Sequence, residues 1–172
     1  RSKRIPVLAA LDLSKNSGVK RVFFSSSSEV YGEPVEFPQN EETTPLNSRL
    51  PYAVVKNVGE SFFRSYYQEF GLPYTIFRFF NTYGPNQSND FVVPRFLELA
   101  YLGKPITIYG NGTQTRTFCY IDDNTETMEN ILVDNECLND TINIGSDVEM
   151  QVLELARKVI ELTHSSSEIQ HL

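Results

Sequence analysis

The chain has 172 residues, of which 40% are hydrophobic and 22% are charged, and its formal net charge is −7. This length and apolar content suffice for a folded domain with its own core and exclude a disordered chain. The negative charge makes nucleic acid and anionic membranes poor partners, although a few local cations can still bind a diphosphate. Cys119 and Cys137 lack metal-ligand spacing, so the sequence predicts no metal site and indicates reduced thiols in a cytoplasmic protein.

The first half of the chain alternates helical and extended patterns, which is typical of an α/β fold. The patterns predict a helix, a buried strand, a proline-rich loop, a long helix and a second buried strand, at residues 4–16, 19–24, 33–51, 52–70 and 74–80. Strand, helix and strand in this order predict a right-handed parallel crossover. Apolar residues recur at core spacing along the long helix, so we expect it to bury Val55, Val58, Phe62, Tyr66 and Phe70.

The second half of the chain has shorter elements. The expected helices are 93–102, 122–134 and 149–162, and the expected strands are 106–109, 115–121 and 141–144. We expect the residues after the last helix, including His164 and His171, to be frayed. No apolar run is long enough to span a bilayer.

A hydroxyl, a carboxylate and a tyrosine–lysine pair follow the first predicted strand. The run Ser25–Ser28 comes directly after that strand and leads to Glu29, at the edge of an α/β sheet where ligands bind. Tyr52 and Lys56 share one face of the long helix because they are one helical turn apart. A nearby ammonium favours the phenolate form of a tyrosine, whose ordinary pKa is near ~10. Together these residues predict oxidoreductase chemistry in one cleft.

Ser27, Tyr52 and Lys56 resemble the Ser/Thr-Tyr-Lys triad of the extended short-chain dehydrogenase/reductase family. Three further segments follow in the order and at the spacing of that family, namely Arg78-Phe-Phe-Asn-Thr-Tyr-Gly-Pro85, Gly110-Asn-Gly-Thr-Gln-Thr-Arg-Thr-Phe118 and Asn143-Ile-Gly145. A lone Tyr-x-x-x-Lys pattern carries little information, whereas the ordered set is specific. The set is similar to the branch that contains the NAD-dependent nucleotide-sugar epimerases, dehydratases and decarboxylases.

The resemblance implies the C-terminal part of a Rossmann-type parallel sheet together with a smaller α/β substrate-binding region. It assigns residues 1–85 to a partial NAD-binding domain with the triad, and 86–172 mainly to the nucleotide-sugar-binding region, with segments returning to the main sheet. Family members begin with a glycine-rich βαβ unit that binds the dinucleotide pyrophosphate, and its Gly-x-x-Gly-x-x-Gly motif is missing here. We therefore expect this chain to be a fragment or a truncated gene product. Its cofactor would be NAD rather than NADP, and we expect the chain alone to bind it weakly.

The resemblance also implies a role for each catalytic residue. Tyr52 would accept the proton of the sugar C4 hydroxyl, Lys56 would lower the pKa of Tyr52 and bind the nicotinamide ribose, and Ser27 would bind the sugar oxygen. Glu29 would remove the C5 proton once C4 is a ketone. Ser28 would help to bind the substrate, and it stands where glucose 4,6-dehydratases usually have an aspartic acid.

The remaining implied roles concern substrate and cofactor binding. Asn81 and Arg116 would bind phosphate oxygens, and an arginine fork suits a diphosphate better than a lysine does. Phe79 and Phe80 would form a wall beside the nicotinamide, with core packing as an equally good interpretation. Val92, Thr107 and Tyr109 would line the nucleotide base pocket. Apolar packing is the alternative interpretation for each of them.

The reaction that follows C4 oxidation of a UDP- or other NDP-sugar stays open. The helix start Pro51–Lys56 is similar to that of 4-epimerases, whereas Ser28-Glu29 and the segment around Arg116 are similar to UDP-glucuronate decarboxylases. A sugar 4,6-dehydratase that uses Glu29 is a further alternative.

Two hypotheses from other classes remain beside the enzyme. One is a truncated, non-catalytic protein that binds a nucleotide-sugar. The other, a serine hydrolase, is disfavoured because the sequence has no Gly-x-Ser-x-Gly elbow. Family members commonly dimerise through the helix that begins at Tyr52, and the apolar residues of that helix are compatible with a homodimer.

Overall fold

The computed structural model describes residues 6–33 and 35–172. The chain divides into two compact units, the first containing the residues up to Phe80 together with Thr125–Ile144, and the second containing Asn81–Asn124 and Gly145–Leu172. The division after Phe80 lies close to residue 85, where the sequence suggested a boundary, and residues 125–144 join the first unit. The binding roles assigned to the two parts stay predictions.

Helices and short strands are interspersed along the described residues. A short 3-10 helix, Ser28–Tyr31, follows the first strand. In chain order the other elements are α1 (Pro6–Asn16), β1 (Val22–Ser27), α2 (Pro51–Phe70), β2 (Tyr74–Phe79), β3 (Thr82–Tyr83), α3 (Val92–Tyr101), β4 (Ile106–Ile108), β5 (Thr115–Thr117), β6 (Cys119–Tyr120), α4 (Ile121–Val133), β7 (Asp140–Ile144), β8 (Glu149–Gln151), α5 (Val152–Thr163) and β9 (Ile169–His171).

The first unit is built on a three-stranded sheet of order β1-β2-β7. Both strand pairs are parallel, as predicted for a strand–helix–strand crossover. Successive residues of β2 point to opposite faces, so Ile76 joins an apolar cluster with Leu11 and Phe63, while Phe77 packs with Ile131 of α4. Burial on both faces is typical of a central parallel strand.

The first strand runs from Val22 to Ser27, whereas the sequence pattern predicts residues 19–24. Ser25, Ser26 and Ser27 pair in register with Phe77, Arg78 and Phe79 of β2. The apolar pattern ends at Phe24, but the backbone ladder continues because β2 is long enough to pair with the serines. The strand therefore presents hydroxyl groups at its carboxyl end.

The predicted buried face of α2 is wrong in part, because Phe62 and Tyr66 pack, half-buried, against the cluster of Leu11, Phe63 and Ile76, whereas Phe70 is 45% exposed. Val55 is 64% exposed and Val58 is 45% exposed. The buried residues of the helix are Ala53, Gly59, Glu60 and Phe63. Gly59 lets the helix approach β1 closely, because a Cβ at this position would lie only 2.4 Å from Cζ of Phe24. A periodicity search for large apolar residues misses a face made of small and charged ones.

The second unit has its core between α3 and α5, around Ile106 and Ile108 of β4. β4 pairs in parallel with β9, and β5 pairs antiparallel with β8. The expected fraying of the C-terminal residues is therefore wrong. His171 lies in β9, where its Nδ1 is 2.8 Å from the carbonyl oxygen of Gly110. The strand Ile169–His171 has too few residues to show a period in the sequence.

Candidate active site

The carboxyl end of β1 leads into the short 3-10 helix that contains Ser28 and Glu29. The Oγ of Ser27 accepts a hydrogen bond of 3.2 Å from the backbone N–H of Glu29 and so caps this helix. Ser27 and Ser28 are half-buried, and Glu29 is exposed. The turn therefore places two hydroxyls and a solvent-accessible carboxylate together at one edge of the sheet.

Tyr52 and Lys56 lie on the first turns of α2, which begins with Pro51 at a position where no backbone N–H is needed. Lys56 Nζ donates a hydrogen bond of 2.6 Å to the carbonyl oxygen of Ser25 and lies 5.5 Å from the ring centroid of Tyr52. Tyr52 is 54% exposed. Burial lowers the pKa of Lys56 below its ordinary value. The structure thus brings the lysine between the tyrosine ring and the strand that ends in Ser27.

Phe79 and Phe80 follow on the neighbouring strand. Phe79 is the register partner of Ser27, and its ring packs 6.0 Å from that of Phe77. Phe80 donates its backbone N–H to Ile144 at 2.9 Å. Both side chains are half-buried, so each contributes to packing while part of it stays accessible at the sheet edge.

Beneath this edge lies a buried ion pair that the sequence analysis missed. Glu60 is 0% exposed and Arg78 is 1% exposed. Arg78 donates from Nε to Glu60 Oε1 at 3.0 Å and from Nη2 to Oε2 at 2.7 Å, which is a bidentate arrangement. Ser26 Oγ donates to Oε1 at 2.6 Å, and Arg64 donates to Oε2 at 2.9 Å. Arg78 stands in a segment quoted above for the resemblance, and nothing in the sequence pairs it with Glu60.

The same arginine reaches the 3-10 helix. Arg78 Nη1 donates to the hydroxyl of Tyr31 at 2.7 Å, and that hydroxyl donates to Asn143 Oδ1 at 2.7 Å. The backbone N–H of Asn143 donates to the carboxylate of Glu41 at 2.7 Å. The network therefore connects β1, α2, β2, β7 and the loop before α2 within the first unit.

Electrostatics hold the carboxylate of Glu60 in its ionised form. Burial alone would raise the pKa of Glu60, but hydrogen bonds from Arg78, Ser26 and Arg64 and the charge of Arg78 lower it below the ordinary value. Burial would likewise lower the pKa of Arg78, yet its bonds to Glu60 and Tyr31 raise it. Both partners are charged across the physiological range, so the pair keeps its geometry there.

The other predicted residues belong to the second unit. Asn81 is exposed with a φ of 32°, a conformation that asparagine tolerates better than most residues. Thr107 and Tyr109 are alternate residues along and just past β4, so they point to the same side. Val92 packs partly against the core of this unit. Arg116 lies on β5 with an exposed side chain whose Nη1 donates to the carbonyl oxygen of Thr115 at 2.8 Å.

Within residues 6–33 and 35–172, no helix is both long and apolar enough to cross a membrane. In the same described part of the chain, no three His, Cys, Asp or Glu side chains cluster in a way that could bind a metal ion.

Comparison with known proteins identifies the relatives of this chain. It is 39% identical over 163 residues to UDP-N-acetyl-alpha-D-glucosaminuronate decarboxylase of Bacillus cytotoxicus, which aligns 90% of this chain with 50% of that protein. UDP-glucose 4-epimerase of Thermotoga maritima, solved with UDP-glucose, superposes with a TM-score of 0.89 at 31% identity, over 96% of this chain and 54% of that one. UDP-glucuronic acid 4-epimerase of Bacillus cereus, solved with NAD, gives 0.88 at 30% identity over 96% and 54%.

These matches confirm the predicted resemblance and the Rossmann-type α/β fold. The chain spans about half the length of the curated relatives it matches. Residues 5–145, most of the chain, match the NAD dependent epimerase/dehydratase family, and the chain therefore belongs to that family.

Proposed function

We propose that the protein containing this chain oxidises the C4 hydroxyl of a UDP-linked or other NDP-linked sugar, with NAD as cofactor and Tyr52 as the base. The observation that supports this most strongly is the position of Lys56 on α2. Its Nζ lies next to the Tyr52 ring and donates a hydrogen bond to the carbonyl oxygen of Ser25, in the strand that ends in Ser27. The relatives act on UDP-sugars or are solved with NAD or a UDP-sugar, which supports the same class.

The chemistry follows from the charges of these groups. Lys56 stabilises the phenolate of Tyr52, which accepts the proton of the C4 hydroxyl, while the Ser27 hydroxyl donates a hydrogen bond to the sugar oxygen. NAD, when bound, supplies the acceptor for the C4 hydride. The cation of Lys56 and the half-buried rings of Phe79 and Phe80 suit the nicotinamide end of that cofactor.

Two second steps are open to such a ketone. Return of the hydride to the opposite face gives the 4-epimer and needs only Ser27, Tyr52 and Lys56. Loss of the C5 proton to Glu29 with departure of the C6 hydroxyl as water would give dehydration, with the hydride returned to C6. A C4 ketone also makes it easier for a hexuronate to lose its carboxylate as carbon dioxide. The exposed position of Glu29, beside Ser27, and the 39% identity to a decarboxylase favour C5 chemistry or decarboxylation as the second candidate.

The second unit supplies the remaining contacts in this proposal. Arg116 binds the diphosphate through its exposed guanidinium, Asn81 binds a phosphate oxygen, and the base lies against Val92, Thr107 and Tyr109.

We further propose a cytoplasmic homodimer that uses the exposed face of α2 containing Val55 and Val58. Substitution of either valine by aspartate should shift the sedimentation coefficient from that of a dimer to that of a monomer, and an unchanged coefficient would contradict this interface.

The test uses the full native gene product with added NAD and three substrates, namely UDP-glucose, UDP-galactose and UDP-glucuronate, with products identified by NMR. We expect turnover of at least one substrate, its loss in Tyr52→Phe, and its retention in the matched control Tyr67→Phe on the exposed part of the same helix. Glu29→Gln separates the two second steps, since it should leave epimerisation intact and abolish C5 chemistry. Binding of UDP without any turnover would contradict the proposal and favour the non-catalytic alternative.

A further inference from the structure

We propose that Glu60 is a positioning residue for the active site. Paired with Arg78, its carboxylate fixes α2 against the carboxyl end of β1 and so sets the position of the Tyr52–Lys56 pair relative to Ser27. This inference rests on the proposed function, because it assigns Glu60 to the same reaction. Glu60 acts through other groups and touches no reacting atom.

The first support is the way two turns of α2 contact two consecutive residues of β1. Lys56 and Glu60 are one helical turn apart and share a face. Lys56 donates to the carbonyl oxygen of Ser25, and Glu60 accepts from the hydroxyl of Ser26, each at 2.6 Å. A slide of the helix along the strand cannot keep both bonds, because both are near the shortest normal length. The next residue of the strand is Ser27, so the register of α2 also sets the relation between Ser27 and the Tyr52–Lys56 pair.

The second support is that Arg78 bonds to both sides of the site. Its Nε and Nη2 contact Glu60 on α2, and its Nη1 contacts Tyr31 at the end of the 3-10 helix with Glu29. One planar guanidinium thereby fixes the angle between the segment that presents Ser27 and Glu29 and the helix that presents Tyr52. A lysine could not make this three-way contact, since it has no fork.

The third support is an argument from stability. A buried ion pair stabilises a fold no better than well-packed apolar residues of the same volume, because both charges must be removed from water. Fixed direction and distance are what such a pair adds, and here they apply to the helix with the two catalytic residues. Close contact of Gly59 with the ring of Phe24 brings the same helix turn against β1.

The test compares Glu60→Gln with the control Thr75→Val in the native gene product. Thr75 is also fully buried, on β2, where its hydroxyl bonds to Arg21 and to the carbonyl of Cys137, away from the carboxyl end. The first readout is the NMR chemical shift of Tyr52, measured at one pH in protein labelled with carbon-13 at tyrosine Cζ and assigned with Tyr52→Phe. The second readout is the pH profile of kcat together with KM for a UDP-sugar.

We expect Glu60→Gln to change the Tyr52 resonance and to lower kcat about tenfold throughout the pH profile, because Tyr52 and Lys56 are displaced from Ser27. KM should change little, and Thr75→Val should move neither the Tyr52 resonance nor kcat. Ser26→Ala, which leaves the charges intact, should have the same effects to a smaller extent, and it decides the question if Glu60→Gln does not fold. An unchanged Tyr52 resonance in these variants, or an equal change in Thr75→Val, would overturn the positioning role. Absence of turnover in the wild-type protein would refute the proposed function alone, because the NMR comparison still decides this inference.

Discussion

Replacing Gly59 by alanine distinguishes a close helix–strand contact from ordinary helix propensity. Alanine stabilises a helix interior relative to glycine by about 0.8–1 kcal/mol. At Gly59, however, the added Cβ would lie 2.4, 2.9 and 3.2 Å from three atoms of the Phe24 ring. That ring packs against Phe63 at a centroid distance of 4.9 Å, so it has little room to move.

The packing effect should exceed the propensity effect. Overpacking of a well-filled contact costs about 1–3 kcal/mol, and a contact of 2.4 Å belongs in the upper part of that range. After the gain in propensity is subtracted, we expect Gly59→Ala to destabilise the protein by about 1–2 kcal/mol. Because the helix must move away from β1, turnover should fall as well.

Urea unfolding followed by circular dichroism measures the change. Ser61→Ala, at an exposed position of the same helix, is the matched control and should be neutral or slightly stabilising. Gly59→Ala should cost less stability when it is added to Phe24→Leu than when it is added to the wild type, because the ring that meets the new Cβ is gone. A stabilisation of about 1 kcal/mol by Gly59→Ala would show that propensity dominates and would refute the close contact.

Three further predictions concern the groups around the site. Gly32→Ala should lower the melting temperature by several degrees. Gly32 has a φ of +63°, and a Cβ there would lie 2.2 Å from the carbonyl oxygen of Asn47. An unchanged melting temperature would contradict this geometry. Arg78→Met should lower the free energy of unfolding in urea by about 3–5 kcal/mol, because it leaves Glu60 buried without its main partner. The double variant Glu60→Gln with Arg78→Met should recover much of that loss, and additive losses would refute the coupling. Because the fold lowers the pKa of Glu60, its ionised form stabilises the protein above the ordinary value of about 4.3, and this contribution is lost as pH falls through the lowered pKa. Acid unfolding of Glu60→Gln should therefore depend less on pH in that range than acid unfolding of the wild type.

Much of the fold could be predicted because its signals are local. The apolar runs before Ser25 and after Gly71, and the long helical pattern between them, indicated β1, α2 and β2 with boundaries within a few residues of those observed. Local patterns also predict Ser27, Tyr52 and Lys56 as site residues, at the end of β1 and on the first turns of α2, and their catalytic roles stay a prediction. The structure adds the hydrogen bond that places Lys56 at the strand.

The errors share a different physical cause, which is that burial depends on partners distant in sequence. Glu60 is buried because Arg78 and Ser26 meet it from two strands, and no periodicity of apolar residues reveals such a carboxylate. Gly59 is buried because of a backbone approach to Phe24. Likewise, Ile169–His171 becomes a strand only through its pairing with β4.

The most direct test of the central claim, oxidation at C4 with Tyr52 as base, is a hydride-transfer measurement. Native protein loaded with NAD is mixed rapidly with a UDP-sugar that has hydrogen or deuterium at C4, and the near-ultraviolet absorbance of reduced nicotinamide is followed together with product formation. We predict transient reduction of the cofactor that is slower with deuterium, and its loss in Tyr52→Phe but not in Tyr67→Phe. Product formation without cofactor reduction and without an isotope effect, or full activity of Tyr52→Phe, would contradict the account.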